Sequence, residues 1–127
     1  MTERIESFSV EDGMLVRRVI PKRGEPYEHR CELATYEAVA HHIDELSDEP
    51  FTGDEVQAAI DLPSSQVHTA LAFLRDRGSL QPAHGRRHRA AASIAGGGVH
   101  LDAMTEFHAL REKGPADPAF GYAPHQP

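Results

Sequence analysis

The chain has 127 residues, 39% of them hydrophobic, and a formal net charge of −7 at pH 7. This length suits one domain, or one domain with an appendage, and the modest apolar content does not suit a large enzyme cleft. No apolar run approaches the roughly 18 residues that span a bilayer, and the first residues lack the pattern of a signal peptide, so we expect a cytoplasmic protein with no membrane partner.

The charge of the chain is unevenly distributed. Residues 1–63 hold 15 acidic and 6 basic groups, whereas residues 64–92 hold 5 arginines and 1 aspartate. The remaining residues are again acidic on balance. Because a polyanion responds to the local field rather than to net charge, the basic block is the part of the chain suited to nucleic acid.

The N-terminal part, residues 1–33, predicts a small antiparallel β meander. "MLVRRVI" at 14–20 is rich in β-branched residues and bounded by turn signals, and Phe8 and Val10 fit a short strand before it. "YEHRCEL" at 27–33 alternates strictly between two faces. We expect one of these faces to be buried, with Tyr27, His29, Cys31 and Leu33 pointing into the core.

Helical periodicity begins after residue 34. The first apolar stripe comprises Tyr36, Val39, Ala40, Ile43 and Leu46, with Thr35 as the expected N-cap. For the second helix, Thr52 and Glu55 have capping-box spacing, and Phe51 and Val56 occupy the hydrophobic-staple positions. "DLP" ends this helix after about two turns.

The third helix is predicted over residues 64–77. Its N-cap is Ser64, or alternatively Pro63 is the first helical residue after an earlier cap. Gly78 is the expected left-handed residue that follows the helix. The apolar stripe comprises Val67, Ala70, Leu71 and Leu74.

The rest of the chain predicts a hairpin and a last helix. Gly85 marks the turn of the hairpin, and Pro82 restricts it to a short hairpin at a sheet edge. "GGG" at 96–98 indicates a flexible break before a helix from Asp102 to Lys113. The apolar side of that helix comprises Ala103, Met104, Phe107 and Leu110. Residues 115–127 are Pro-rich and predict a disordered tail.

The order of these elements, carried by "FTGDEVQAAIDLPSSQVHTALAFLRDRGSLQP", resembles the winged helix-turn-helix family. The resemblance covers residues 34–92. It implies an α+β fold with a winged helix-turn-helix core over 34–95, preceded by the meander and followed by a linker and C-terminal helix over 96–114. In such domains a short helix leads through a tight turn into the recognition helix, which enters the major groove, and the hairpin forms the wing.

The resemblance implies DNA-binding residues on the recognition helix (64–77) and on the wing (79–92). With Val67 at the centre of the buried stripe and about 100° per residue, Ser65, Thr69, Ala72 and Asp76 should point away from the core. N-terminal residues of a recognition helix reach base edges, and glutamine can read adenine. The helix residues implied are Ser64, Ser65, Gln66, His68, Thr69 and, for backbone support, Arg75. The wing residues implied are Arg86, Arg87, His88 and Arg89.

The resemblance therefore implies a sequence-specific transcription regulator of double-stranded DNA. We expect a homodimer, since the strand at 27–33 and the helix at 102–113 offer more apolar surface than the core of 34–92 needs. The alternative is a winged-helix module that binds protein and not DNA. A basic stripe continuous from Ser65 to Arg89 favours DNA, whereas an apolar patch across Ala72 and Phe73 favours protein.

Nine histidines and one cysteine raise the question of a metal site. No histidine pair is accompanied by a second cluster at ligand spacing, so we expect no metal. The chain also lacks a Gly-rich phosphate loop after a strand and a nucleophile elbow. We therefore expect neither a cofactor nor enzymatic activity.

Overall fold

The computed structural model describes residues 4–92 and 96–114. The strands are β1 (Ile5–Glu11), β2 (Met14–Ile20), β3 (Tyr27–Cys31), β4 (Leu80–Pro82) and β5 (His88–Ala90). The helices are α1 (Leu33–Leu46), α2 (Gly53–Ile60), α3 (Ser64–Asp76) and α4 (Gly98–Lys113). This part of the chain has a mixed α+β fold with a three-stranded antiparallel sheet and a smaller two-stranded sheet. The tail predicted over 115–127 lies outside the described residues.

The predicted N-terminal meander is confirmed. Strands β1, β2 and β3 pair in chain order, and both pairings are antiparallel. The tight turn between β1 and β2 places Asp12 at φ 53° and Gly13 at φ 76°. Positive φ at both central residues is the geometry that joins twisted strands in a two-residue hairpin, and Asp-Gly adopts it readily.

The predicted burial of β3 is wrong for most of its residues. Cys31 is fully buried, but Tyr27 and His29 are exposed, and Leu33 lies in α1. Cys31 pairs with Leu15, and both belong to the main apolar core. The alternation correctly placed Tyr27, His29 and Cys31 on one face of the strand. Only the end of that face at Cys31 is buried.

One apolar core joins the sheet to the helices. Phe73 of α3 packs against Phe8 of β1, with ring centroids 5.2 Å apart, and against Tyr36 of α1, at 5.9 Å. Tyr36 also packs against Phe107 of α4 at 5.6 Å and donates its hydroxyl hydrogen to the carbonyl oxygen of Ala103 at 2.6 Å. The N-terminal sheet and α4 therefore share the core of the central helices.

The helix starts follow local signals only in part. The capping box of α2 is confirmed, since Glu55 N donates to Thr52 Oγ1 at 3.1 Å and Thr52 N donates to Glu55 Oε1 at 3.0 Å. Thr35 is not the cap of α1, because the helix begins at Leu33 after Glu32. The predicted alternatives for α3 are also wrong, since Pro63 itself is the N-cap residue.

The end of α3 is a confirmed glycine cap. Gly78 has φ +81°, as predicted for a left-handed residue. Its amide donates to the carbonyl oxygen of Arg75 at 3.1 Å, and the amide of Ser79 donates to that of Leu74 at 2.9 Å. These are the two hydrogen bonds of a Schellman motif, and they direct the chain from α3 into β4.

Helix α4 begins four residues before the predicted start at Asp102. The Asp44 carboxylate accepts hydrogen bonds from the amides of Val99, at 2.6 Å, and His100, at 2.9 Å. Gly98 is held at φ +91° beside this carboxylate, where a Cβ would come 2.8 Å from Asp44 Oδ1. The expected flexible break is therefore wrong at Gly98, because a side chain from α1 caps the new helix.

The apolar face of α4 is buried within the chain. Ala103, Phe107 and Leu110 are buried as predicted, against α1 and β1. Among the described residues, the large hydrophobic side chains left exposed are Tyr27, at 38%, and Leu101, at 48%. The apolar face of α4, which was part of the reason to expect a homodimer, is thus used inside the fold, whereas Tyr27 of β3 stays exposed.

Candidate nucleic-acid interface

Helix α3 is enclosed on most of its circumference. The sheet packs on one side of it, through β3 and β2, and α1 and α2 pack on the other. Thr69 is 1% exposed and Ala72 is 4% exposed, so the prediction that they point into solvent is wrong. The hydroxyl of Thr69 donates within the helix, to the carbonyl oxygen of Ser65 at 2.8 Å. The N-terminal sheet occupies the side of α3 that was expected to read bases.

Gln66 is also engaged inside the fold. Its side-chain oxygen accepts a hydrogen bond from the backbone amide of Glu32 at 3.0 Å. Glu32 is the residue at which β3 gives way to α1. Gln66 thus fixes that junction to α3, and reading an adenine would require it to give up this contact.

A narrow strip of α3 remains accessible. Ser64 and Arg75 are exposed, and His68 between them is partly exposed. At about 100° per residue these three positions lie within about 40° of one another around the helix. We call them the α3 strip. Ser65 is exposed next to the strip, in the first turn.

The predicted hairpin is positioned beside the start of α2. Strand β5 pairs with β4 and also forms a bridge with Phe51, in which each backbone amide of Phe51 and His88 donates to the other residue's carbonyl at 2.8 Å. Strand β4, which contains Pro82, is therefore an edge strand, as predicted. The bridge places His88 next to the residue that precedes Thr52, the N-cap of α2.

Arg87 binds the protein itself. Its guanidinium donates to both carboxylate oxygens of Glu55, at 2.9 and 3.1 Å, and to the carbonyl oxygen of Pro50 at 3.4 Å. These contacts lower the pKa of Glu55. Arg87 therefore attaches the hairpin to α2, and a phosphate would have to compete with Glu55 for its guanidinium.

The α3 strip, the start of α2 and the hairpin surround a cleft of about 300 Å³. Four residues predicted from the sequence as DNA contacts line it, and we call it the basic cleft. They are His68 and Arg75 from α3 and Arg86 and His88 from the hairpin. Thr52, Gly53 and Asp54 complete the lining. Sequence reasoning missed these three because a capping box marks a helix start but not what lies beside it.

Positive charges in the cleft lie close to one another. Partial loss of hydration, together with the charges of Arg17 and Arg4, lowers the pKa of Arg75. Loss of hydration and the nearby charge of Arg75 lower the pKa of His88. A lowered pKa leaves the His88 ring neutral at neutral pH, so the positive charge of the cleft lining comes from Arg75 and Arg86, beside the carboxylate of Asp54.

Three of the five arginines in the basic block have no carboxylate partner among residues 4–92 and 96–114. These are Arg75, Arg86 and Arg89. Arg77, in contrast, pairs with Asp76 at 3.1 Å and lies 3.8 Å from Glu106. The charges left unpaired are thus on the α3 strip and the hairpin.

His68 presents its outer nitrogen to the cleft. Its Nδ1 lies 2.9 Å from the carbonyl oxygen of Ser64, and a carbonyl can only accept, so Nδ1 carries the hydrogen of this bond. Its Nε2 lies 3.6 Å from a carboxylate oxygen of Asp54. Nε2 can therefore accept a hydrogen bond when the ring is neutral and donate one when it is protonated.

The titratable groups outside the cleft do not form a metal centre in the described part of the chain. No group of three His, Cys, Asp or Glu side chains there could hold a metal ion. His41 and His100 stack with ring centroids 3.8 Å apart, and His100 Nε2 lies 3.2 Å from Glu37. Burial raises the pKa of the Cys31 thiol to about 12, which leaves it protonated and unreactive at neutral pH.

No protein-family model, curated protein or solved structure matches this chain. No helix in the described ranges is long and apolar enough to cross a membrane. The function proposed below is therefore argued from the residues of the basic cleft and the hairpin.

Proposed function

We propose that this chain is a DNA-binding regulator of the winged helix-turn-helix type that holds duplex DNA mainly through backbone phosphates. The observation that carries the proposal is the convergence of four side chains in one cleft. His68, Arg75, Arg86 and His88 come from α3 and from the hairpin, and they meet beside the start of α2. Phosphate groups are the ligands to which such a cluster of cationic and hydrogen-bonding groups is best suited.

The arrangement of elements supports the winged-helix part of the proposal. Three helices are followed directly by a hairpin, and α3 is the third of them. The second strand of the hairpin returns to pair with Phe51, just before α2. The hairpin is thereby held alongside α3, which is the position from which a wing can contact DNA next to the helix.

The unpaired arginines supply the binding energy in this proposal. Arg75, Arg86 and Arg89 have no carboxylate partner within the described ranges that they would have to leave when they meet a phosphate. Each phosphate that they neutralise releases counterions from the duplex. Binding of this kind depends on local charge and is compatible with the acidic balance of the whole chain.

Fewer residues of α3 are accessible for contacts to bases than the sequence predicted. Ser64, Ser65 and His68 are accessible in the first two turns of α3. Thr69 is buried and Gln66 is bonded to the backbone of Glu32. We expect modest sequence discrimination, since phosphate contacts position a protein on DNA and base contacts specify the sequence.

The side chains whose exposure would have favoured the protein-binding alternative are buried. An apolar patch across Ala72 and Phe73 was its expected mark, but these side chains are 4% and 0% exposed. Phe73 packs against Phe8 and Tyr36 in the core. A cleft lined by two arginines and two histidines favours a nucleic acid as the partner.

Binding to a mixed-sequence duplex tests the proposal without knowledge of an operator. With three arginine–phosphate contacts the slope of log K against log salt has a magnitude of at least about 2.7, so affinity should fall at least about fortyfold between 50 mM and 200 mM salt. Fluorescence anisotropy of a labelled duplex of about 24 base pairs measures this, with thermal melting to show that the protein is folded. A folded protein that does not bind the duplex at 50 mM salt would contradict the proposal.

A further inference from the structure

One end of the three-stranded sheet carries a second group of basic residues. Ile5 pairs with Ile20 and Val19 pairs with Tyr27, so Arg4 lies at the same end of the sheet as the turn between β2 and β3. That turn contains Lys22 and Arg23. We call Arg4, Lys22 and Arg23 the sheet arm.

The side chains of the sheet arm are accessible. All three residues are exposed, and none of them forms an ion pair with the described residues. Glu25 is the acidic residue of the same turn, and it too is exposed. The arm thus has an excess of positive charge, although sequence reasoning identified "PKRGEP" only as a turn.

The sheet arm lies next to the basic cleft. Helix α3 packs on β2 and β3, and its Arg75 is close enough to Arg17 and Arg4 for their charges to lower the pKa of Arg75. Arg17 is itself paired with Glu6 on the strand face that contacts α3. Glu6 opposes the effect of both arginines on Arg75 and neutralises Arg17, so Arg4 is the basic residue through which the end of the sheet adds positive charge near Arg75.

The other face of the sheet has a different charge arrangement. Arg18 pairs with Glu11 and with Glu28, the latter at 3.1 Å, and Arg30 pairs with Glu28 at 2.9 Å. Arg30 also lies 3.6 Å from Glu11, so the four side chains form a closed and neutral network. Exposed basic residues in turns are often only solvated, but the charge of the sheet arm is not neutralised in this way among the described residues, and Arg4 lies close enough to Arg75 to influence its pKa.

We infer that the sheet arm is a second DNA-contacting element, which binds backbone phosphates on the opposite side of the α3 strip from the hairpin. This inference depends on the proposed function. The N-terminal sheet covers the side of α3 that was expected to read bases. Its sheet arm extends the phosphate-binding surface beyond the hairpin. Its partner is the sugar-phosphate backbone of duplex DNA, which it contacts without regard to sequence.

A pair of charge-matched variants tests the inference. Lys22→Ala/Arg23→Ala removes one lysine and one arginine from the arm, and Arg111→Ala/Lys113→Ala removes one of each from the end of α4. If both arm residues contact phosphates, the first variant should reduce the magnitude of the salt slope by about 1.8. The second should leave the slope at the wild-type value. Both sites are exposed, and thermal melting confirms that each variant is folded.

The outcomes separate the inference from the proposed function. If the wild-type protein binds the duplex and the two variants have the same slope, the inference is wrong and the proposed function stands. If the wild-type protein does not bind, both are wrong. A selective reduction in Lys22→Ala/Arg23→Ala supports the arm as a second contact.

Discussion

Arg87 and Glu55 form a bidentate ion pair, with Nη1–Oε1 and Nη2–Oε2 distances of 2.9 and 3.1 Å. Oε1 of the same carboxylate also accepts the backbone amide of Thr52 and so completes the capping box of α2. One glutamate therefore joins the hairpin to the start of the helix. An arginine that the sequence predicted as a DNA contact thus has a structural contact within the fold.

This pair predicts that two adjacent arginines differ in their effects. Arg87→Ala/Glu55→Gln conserves net charge and keeps a residue that can complete the capping box, so we expect a lower melting temperature and nearly unchanged DNA affinity. Arg86→Ala should weaken DNA binding and leave the melting temperature unchanged. Thermal melting and anisotropy measure both quantities. An Arg87→Ala/Glu55→Gln protein that melts like the wild type but binds DNA poorly would contradict the assignment.

The capping box could be predicted from the sequence because Thr52 and Glu55 satisfy each other within one turn. The burial of Thr69 could not, because it results from tertiary packing around α3, to which strands more than thirty residues earlier in the chain contribute. Helical periodicity located the core stripe of α3 correctly. It could not show that the N-terminal sheet packs against α3 outside this stripe.

Thr69 should therefore affect stability and not DNA recognition. Thr69→Ala removes a buried methyl group and a hydroxyl that is bonded to the carbonyl of Ser65, at an expected cost of about 1 kcal/mol in the free energy of unfolding. Ser65→Ala, at an exposed position one turn earlier, is the matched control and should change stability by less than about 0.5 kcal/mol. Chemical denaturation measures both. A change in DNA discrimination in Thr69→Ala without loss of stability would contradict the enclosed position of this residue.

The start of α4 illustrates the same limit of sequence reasoning. The amides of Val99 and His100 are capped by Asp44, which lies on α1. The stretch "GGG" contains no local capping residue, so the start of α4 predicted from the sequence is too late. Glycine at position 98 indicated flexibility in the sequence, but in the fold it makes room for a carboxylate.

The ion-pair network on the outer face of the sheet predicts a pH dependence of stability. A hydrogen bond from Arg18 lowers the pKa of Glu11 from 4.5 to about 2. Because the folded-state pKa is depressed, this contribution is fully present above about pH 4.5 and is lost as the pH falls towards 2. Glu11→Gln should therefore lose stability at neutral pH and show a weaker decline between pH 5 and pH 2.

Glu25→Gln is the matched control for this measurement, since Glu25 is exposed and forms no ion pair with the described residues. Its melting temperature should follow the wild-type pH profile. Identical profiles for Glu11→Gln and the wild type would mean that the network does not stabilise the sheet.

Asp54 is the acidic residue of the cleft lining, and removing its charge should strengthen DNA binding. Repulsion between unit charges about 6 Å apart in water is worth about 0.7 kcal/mol, so Asp54→Asn should raise affinity about threefold at low salt. Asp61→Asn, at the other end of α2, is the control, because asparagine tolerates the left-handed φ of 51° there. Equal gains in both variants would indicate a general charge effect and not a contact in the cleft.

The proposed binding of DNA depends most directly on Arg75 and Arg86 as phosphate contacts, and the salt dependence of DNA binding by Arg75→Ala/Arg86→Ala tests this. Each lost phosphate contact reduces the magnitude of the slope of log K against log salt by about 0.9, so the double variant should differ from the wild type by about 1.8. Arg111→Ala/Lys113→Ala removes the same amount of charge outside the cleft and should keep the wild-type slope. A folded Arg75→Ala/Arg86→Ala protein with the affinity and slope of the wild type would contradict the central claim.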